Sequence, residues 1–304
     1  MNIKFLKSKI NYTGAVALIG LSLLPTLVFA DAAVGDSFVS LGANLDKNQR
    51  NAILDELDAP ETAEIIEVTN AEEHKYLGES IPKSKIGKKA LSSSMITYPK
   101  PGSGIKVDVS DNINYITEST YRNALTTAGV TDAEVKITAP TSVSGTAALT
   151  GILKAYEVSN DIKIDENLKK VANQEMVVAQ DIQQSVGENK TDDLINAIKV
   201  QMSQNMPENE DQVRNIINNV SQEYNINISD NQVDSLVNLF VKMKNSNVDW
   251  DKVAKEASKY SKVAKDLGTK ASDYLSSEQG QQTLEKSKGI FAKIIDFIKS
   301  FFAN

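Results

Sequence analysis

From about Asp36 to Ala139 the chain alternates apolar and polar residues in short runs, the period of strands with one buried face. Six runs carry it: "SFVSLGA" (37–43), "EIIEVT" (64–69), "SSSMITY" (92–98), "GIKVDVS" (104–110), "NINYIT" (112–117) and "AEVKIT" (133–138). Two stretches between them are helical in period. "LDKNQRNAILDEL" (45–57) opens with Asp46 and has Gln49 three residues on, the pairing of a capping box, then sets Ile53, Leu54 and Leu57 on one face. "TESTYRNALTTAG" (117–129) runs from a Thr/Ser start to Gly129 as its stop. Pro101-Gly102 suits a type II turn and predicts an antiparallel hairpin between the runs on either side. "NINYIT", the helix and "AEVKIT" predict a strand–helix–strand crossover.

After about Asp161 the strand runs give way to apolar residues spaced by three and four, as in "LINAIKVQM", "QVRNIINNVSQEY", "QVDSLVNLFVKM" and "WDKVAKEASKYSKVAKDL". Ser229 and Gln232 repeat the capping-box pairing there. The pattern predicts an α+β protein: an N-terminal mixed α/β sheet domain over 31–160, an all-helical region over 161–288, and an amphipathic helix over 289–304. In that last segment Ile290, Phe291, Ile294, Ile295, Phe297, Ile298, Phe301 and Phe302 fill an arc of about 160°, opposite Lys293, Asp296 and Lys299. Such a face serves a membrane interface, a protein partner, or the chain's own helical region.

Composition adds a location. Lys4, Lys7 and Lys9 precede an apolar run from Gly14 to Val28 that ends in Val28-Phe29-Ala30, the form of a secretory signal peptide cut after Ala30. Pro25 interrupts the run, and a membrane-spanning helix needs about 20 apolar residues. Losing three lysines and no acid takes the formal charge from −7 to −10. A chain this acidic, with Arg50, Arg122 and Arg214 far apart, is a poor nucleic-acid binder. There is no cysteine, so no disulfide, thiol nucleophile or cysteine zinc site. The expected location is secreted or extracellular, either released or retained at the cell envelope.

"APTSVSGTAALTG" (139–151) lies between a strand run and a helix, where phosphate cradles often sit. On a helix from Thr146, one arc holds Leu149, Ile152, Leu153 and Tyr156, and a second holds Ala147, Ala148, Gly151 and Ala155. The third holds Thr146, Thr150, Lys154 and Glu157. The first two read as buried. Ser142, Ser144 and Thr146 are placed to cap the free first-turn N–H groups, and with Gly145 those residues could instead hold an anion. The lysine and richer glycine run of a P-loop are missing.

Other chemistry is thin. His74 is the sole histidine and has no G-x-S-x-G partner, so it reads as a surface helical residue. Paired carboxylates could act on sugar polymers, with Asp108 and Asp111 near strand ends as candidates, but solvated surface charge explains them more simply. "NINISDNQVDSL" (225–236) lacks the glycine and glutamate of a calcium loop. Lys83, Lys85, Lys88 and Lys89 cluster in "IPKSKIGKKA", a solvated loop or a contact for anionic wall polymers or lipid headgroups. No catalytic residue, metal ligand or cofactor is assigned.

The residues "NINYITESTYRNALTTAGVTDAEVKITAPTSVSGTAALTGILKAYE" (112–157) and "SLGANLDKNQRNAIL" (40–54) resemble the YpuA-type family of exported Firmicutes proteins, a domain of unknown function. That resemblance implies export and association with the envelope, and no activity, cofactor or catalytic residue. The reading is an exported envelope protein acting as a non-enzymatic binding or interaction module, with a cell wall polymer, the membrane surface or an envelope protein as partner. The alternative is an envelope hydrolase or small-anion-binding protein that uses carboxylates and the 142–146 turn.

Overall fold

The computed structural model describes residues 32–81 and 86–261. The leader, Lys83, Lys85 and the C-terminal apolar segment lie outside the described residues. Five strands form one sheet: β1 (Ser37–Gly42), β2 (Glu64–Val68), β3 (Ser93–Thr97), β4 (Ile105–Val109) and β5 (Ala133–Thr138), in the spatial order β2-β1-β3-β5-β4. The β1–β2 and β4–β5 pairs are parallel, and β3 runs antiparallel to both β1 and β5. Each parallel pair is joined by a helix, α1 (Lys47–Glu56) in the first case and α3 (Glu118–Thr127) in the second. The sheet is thus mixed, with helices after it, as the periodicity predicts.

Two local expectations need correction. The type II turn forms at Pro101-Gly102, with Gly102 at φ 88° and Ser103 N–H donating to the Lys100 carbonyl, but the flanking strands are not a hairpin. β5 lies between them. Accordingly, the strand entering the β5 crossover is 105–109 and not "NINYIT". That stretch forms a loop because Asn112 and Asn114 spend their side-chain amides on the Ala139 carbonyl and the Ser142 hydroxyl, leaving a single bridge from Ile113 to Val143.

α1 covers one face of the sheet, where Ile53 and Leu57 meet Val39, Leu41 and Met95. The other face receives α4 (Thr146–Ser159), which crosses β1, β2 and β3. Close approach there depends on Gly151: a Cβ would stand 2.3 Å from Ser40 Oγ, whose hydroxyl is paired at 2.6 Å with that of Ser94. Leu149, Ile152 and Leu153 are buried as expected. Thr146 and Thr150 of the polar arc are buried too, because α2 (Asn70–Leu77) packs over that side.

Five further helices follow: α5 (Glu166–Val186), α6 (Glu188–Gln204), α7 (Glu210–Glu223), α8 (Asp230–Lys244) and α9 (Trp250–Tyr260). Their core is continuous from Val171 to Ala257 and includes Phe240, Leu236, Ile198 and Ile217. Among the described residues no helix is long and apolar enough to cross a membrane.

A polar seam joins this region to the sheet. Glu175 of α5 and Lys199 of α6 are each 1% exposed and pair at 2.5 Å. Thr127 of α3 donates to the second Glu175 oxygen, and Lys199 Nζ donates to the Asn123 carbonyl at 3.1 Å. Burial pushes the Glu175 carboxyl up, opposed by Lys199. At the far end Tyr260 donates to the Ile105 carbonyl of β4 and lies over the Arg122 guanidinium at 4.2 Å.

Removing one partner of a buried pair leaves an uncompensated charge. Lys199→Met is therefore expected to cost about 3–5 kcal/mol in urea unfolding, and adding Glu175→Leu to it should recover a large part of that loss.

Candidate functional site

The first turn of α4 opens into a polar cleft of about 540 Å³ between α2, the 86–92 segment and the 142–147 turn. The helix starts at Gly145, held at φ 90°, with no side-chain cap. Any side chain here would be strained by the backbone, and a Cβ would stand 2.4 Å from Tyr121 Oη and 2.6 Å from Ile113 Cγ2. Tyr121 is fully buried and donates to the Gly145 carbonyl at 2.6 Å, so the turn is braced from beneath. Burial pushes the Tyr121 hydroxyl far up, which keeps it a neutral donor.

The expected capping by hydroxyls does not occur. Ser142 accepts from Asn114 Nδ2 at 2.8 Å, and Ser144 pairs with Thr146 Oγ1 at 3.1 Å. Thr146 Oγ1 in turn donates to Glu73 Oε1 at 2.5 Å. The Ala148 N–H bonds back to the Gly145 carbonyl, while those of Thr146 and Ala147 have no partner among the described residues. These two donors sit at the positive end of a helix of 14 residues.

Lys88 and Lys89 line the same cleft, exposed on a turn that is fixed at both ends. Ile86 is buried on one side of them. On the other, Ala90 is buried and its N–H donates to Asn44 Oδ1 at 2.9 Å. His74 Nε2 lies 3.1 Å from the Gly87 carbonyl, so the sole histidine anchors the lysine turn to α2. Two groups of residues singled out separately in the sequence, Ser142, Ser144, Gly145 and Thr146 on one hand and Lys88 and Lys89 on the other, thus meet in one place.

Among the described residues Glu73 is the one acid lining the cleft. It is 1% exposed, is held by Thr146 and by Asn70 Nδ2, and burial raises its carboxyl above the usual range despite those donors. Sequence reasoning missed it, as it missed Asn114 and Tyr121. In sequence Glu73 is one more acidic residue beside the surface-like His74, and its burial comes from α4 packing against α2. Asp108 and Asp111 are exposed and stand outside the cleft. The 225–236 stretch forms the α7–α8 turn, with Ser229 and Gln232 making the expected capping box. Among the described residues no three His, Cys, Asp or Glu side chains are grouped to hold a metal.

A mixed five-stranded sheet with helices on both faces, followed by a helical array, makes this an α+β protein with a polar cleft at a helix start. Residues 41–260 match the family described as "Protein of unknown function (DUF1002)", and the chain belongs to that family. It is also 42% identical over 287 residues to "Uncharacterized protein YpuA" of Bacillus subtilis (strain 168), covering 94% of this chain and 96% of the relative. No solved structure matches it.

Because Glu73 takes up its proton more readily folded than unfolded, its burial penalty is present above its folded pKa. The penalty fades as pH falls toward the ordinary value of 4.5. Glu73→Gln, which keeps the acceptor for Thr146, should melt above wild type at neutral pH, and the gap should close in melting curves taken toward pH 4.5.

Proposed function

We propose that this protein is an exported envelope protein whose cleft at the start of α4 binds an anionic group, most simply a repeating phosphate of a cell-wall polymer. The observation that carries the reading is the convergence of Lys88 and Lys89 with the two unpaired N–H groups of Thr146 and Ala147 in one open cleft. In a chain of net charge −7 this is a local positive site, and it suits a repeating phosphate better than a neutral ligand.

Binding is favoured over hydrolysis. Glycoside hydrolysis needs two carboxylates, and among the described residues Glu73 is the one acid in the cleft, with both oxygens engaged. The signal-like leader supports export, and the apolar arc from Ile290 to Phe302 supports retention at the membrane or on a partner.

Residues 31–304 should bind soluble polyphosphate in calorimetry, with affinity falling as salt is raised. Lys88→Glu with Lys89→Glu should weaken that binding about tenfold or more, which two charge-assisted contacts can supply. Equal binding by the double variant, or none by the folded wild type, would remove the anion reading.

A further inference from the structure

A second depression lies beyond the C-terminal end of α2. α5 and α8 run together and leave a groove that reaches the C-terminal end of α2, in two connected hollows of about 660 and 300 Å³ that share Glu79, Ser80, Gln174 and Lys242. Its walls are two helical stripes. On α5 the lining residues Asn167, Lys170, Gln174, Val178 and Asp181 recur every three or four positions, and on α8 Asp234, Asn238 and Lys242 recur every four. From Asn167 to Asp181 the stripe is about 21 Å long at 1.5 Å per residue. That is a length for an extended chain ligand and not for a single small molecule.

The lining chemistry is particular. Gln174 Nε2 donates to Asn238 Oδ1 at 2.9 Å, and Lys242 Nζ donates to Gln174 Oε1 at 3.1 Å. This relay fixes both amides in orientation. It leaves the amide N–H groups of Asn238 without a partner among the described residues, beside the carboxylates of Asp181 and Asp234. Donors and acceptors therefore stand together in the groove lining, which suits sugar hydroxyls, since each both gives and takes a hydrogen bond.

Charge does not draw the ligand proposed for the first cleft. Lys170 is engaged by Glu79 at 3.3 Å and Asp234 by Arg214 at 2.7 Å, which leaves Lys242 against Asp181. The groove therefore offers a phosphate polymer no net positive charge. Val177 and Val178 make too small an apolar floor to seat an amphipathic helix.

We propose that the α5–α8 groove binds an uncharged or N-acetylated oligosaccharide chain, oriented by the Gln174–Asn238 relay. The inference is independent of the anion reading. It is tested by titrating residues 31–304 with chitotetraose and with cellotetraose in calorimetry. Saturable binding of at least one is expected, weakened about tenfold in Gln174→Ala with Asn238→Ala by loss of two oriented amides. Lys88→Glu with Lys89→Glu should leave it unchanged. Asn238 is exposed and Gln174 half-buried, so the pair should fold by circular dichroism. Should it not, Asn238→Asp removes the amide donors at constant size and is read in the same way. No binding of either sugar by the folded wild type, or undiminished binding by the folded relay variant, would overturn the proposal, as would a short polar peptide binding there in place of both sugars.

Discussion

The ion pair between Glu175 and Lys199 is the contact on which the joining of the two halves depends. Both groups are withdrawn from water, and a buried charge is tolerated only when its partner and its hydrogen bonds are held in place. Those partners come from three helices at once, since Thr127 and Asn123 of α3 complete the coordination begun by α5 and α6. Asn123 also gives its amide to Asp192, which Arg122 faces at 3.5 Å. A purely apolar seam could tolerate sliding between the sheet-covering helix and the array behind it. A buried ion pair with fixed partners favours one register, and here it ties α5 and α6 to α3.

Of the two proposed sites, the groove lined by α5 inherits that register. The first cleft exists because α4 is pressed onto the sheet through Gly151 and crossed by α2, which brings Glu73 under Thr146 and, through His74, the lysine turn beside it. The second exists because α5 has α2 at one end and α8 along its side. The first cleft presents two lysines while the groove is close to electrically balanced, so the two sites would hold chemically distinct parts of an envelope polymer without competing.

Much of this was legible in the sequence where a local rule governs. The capping boxes at Asp46 and Ser229, the turn at Pro101-Gly102, the start of α4 and the packing reason for Gly151 are each set by a few neighbouring residues. Strand order was not, because the insertion of β5 between β3 and β4 is decided by long-range pairing and not by the turn that links them. Charged residues misled for a related reason. Glu73, Glu175 and Lys199 have the composition of a solvated face, and only tertiary packing buries them. For the candidate site, Ser142 to Thr146 and the lysines could be read singly, but their meeting depends on α2, whose eight residues gave no sign of it.

The central claim is that the open first turn of α4 is a receptor for an anion, and its backbone N–H groups report on this directly. Hydrogen exchange of the Thr146 and Ala147 amides, followed by NMR with and without polyphosphate, separates the two cases. The account predicts fast exchange in the free protein, since neither amide has a partner among the described residues, and marked slowing when the polymer is added while the interior of α4 stays unchanged. Amides already protected in the free protein, or equally fast at saturating polymer, would contradict it.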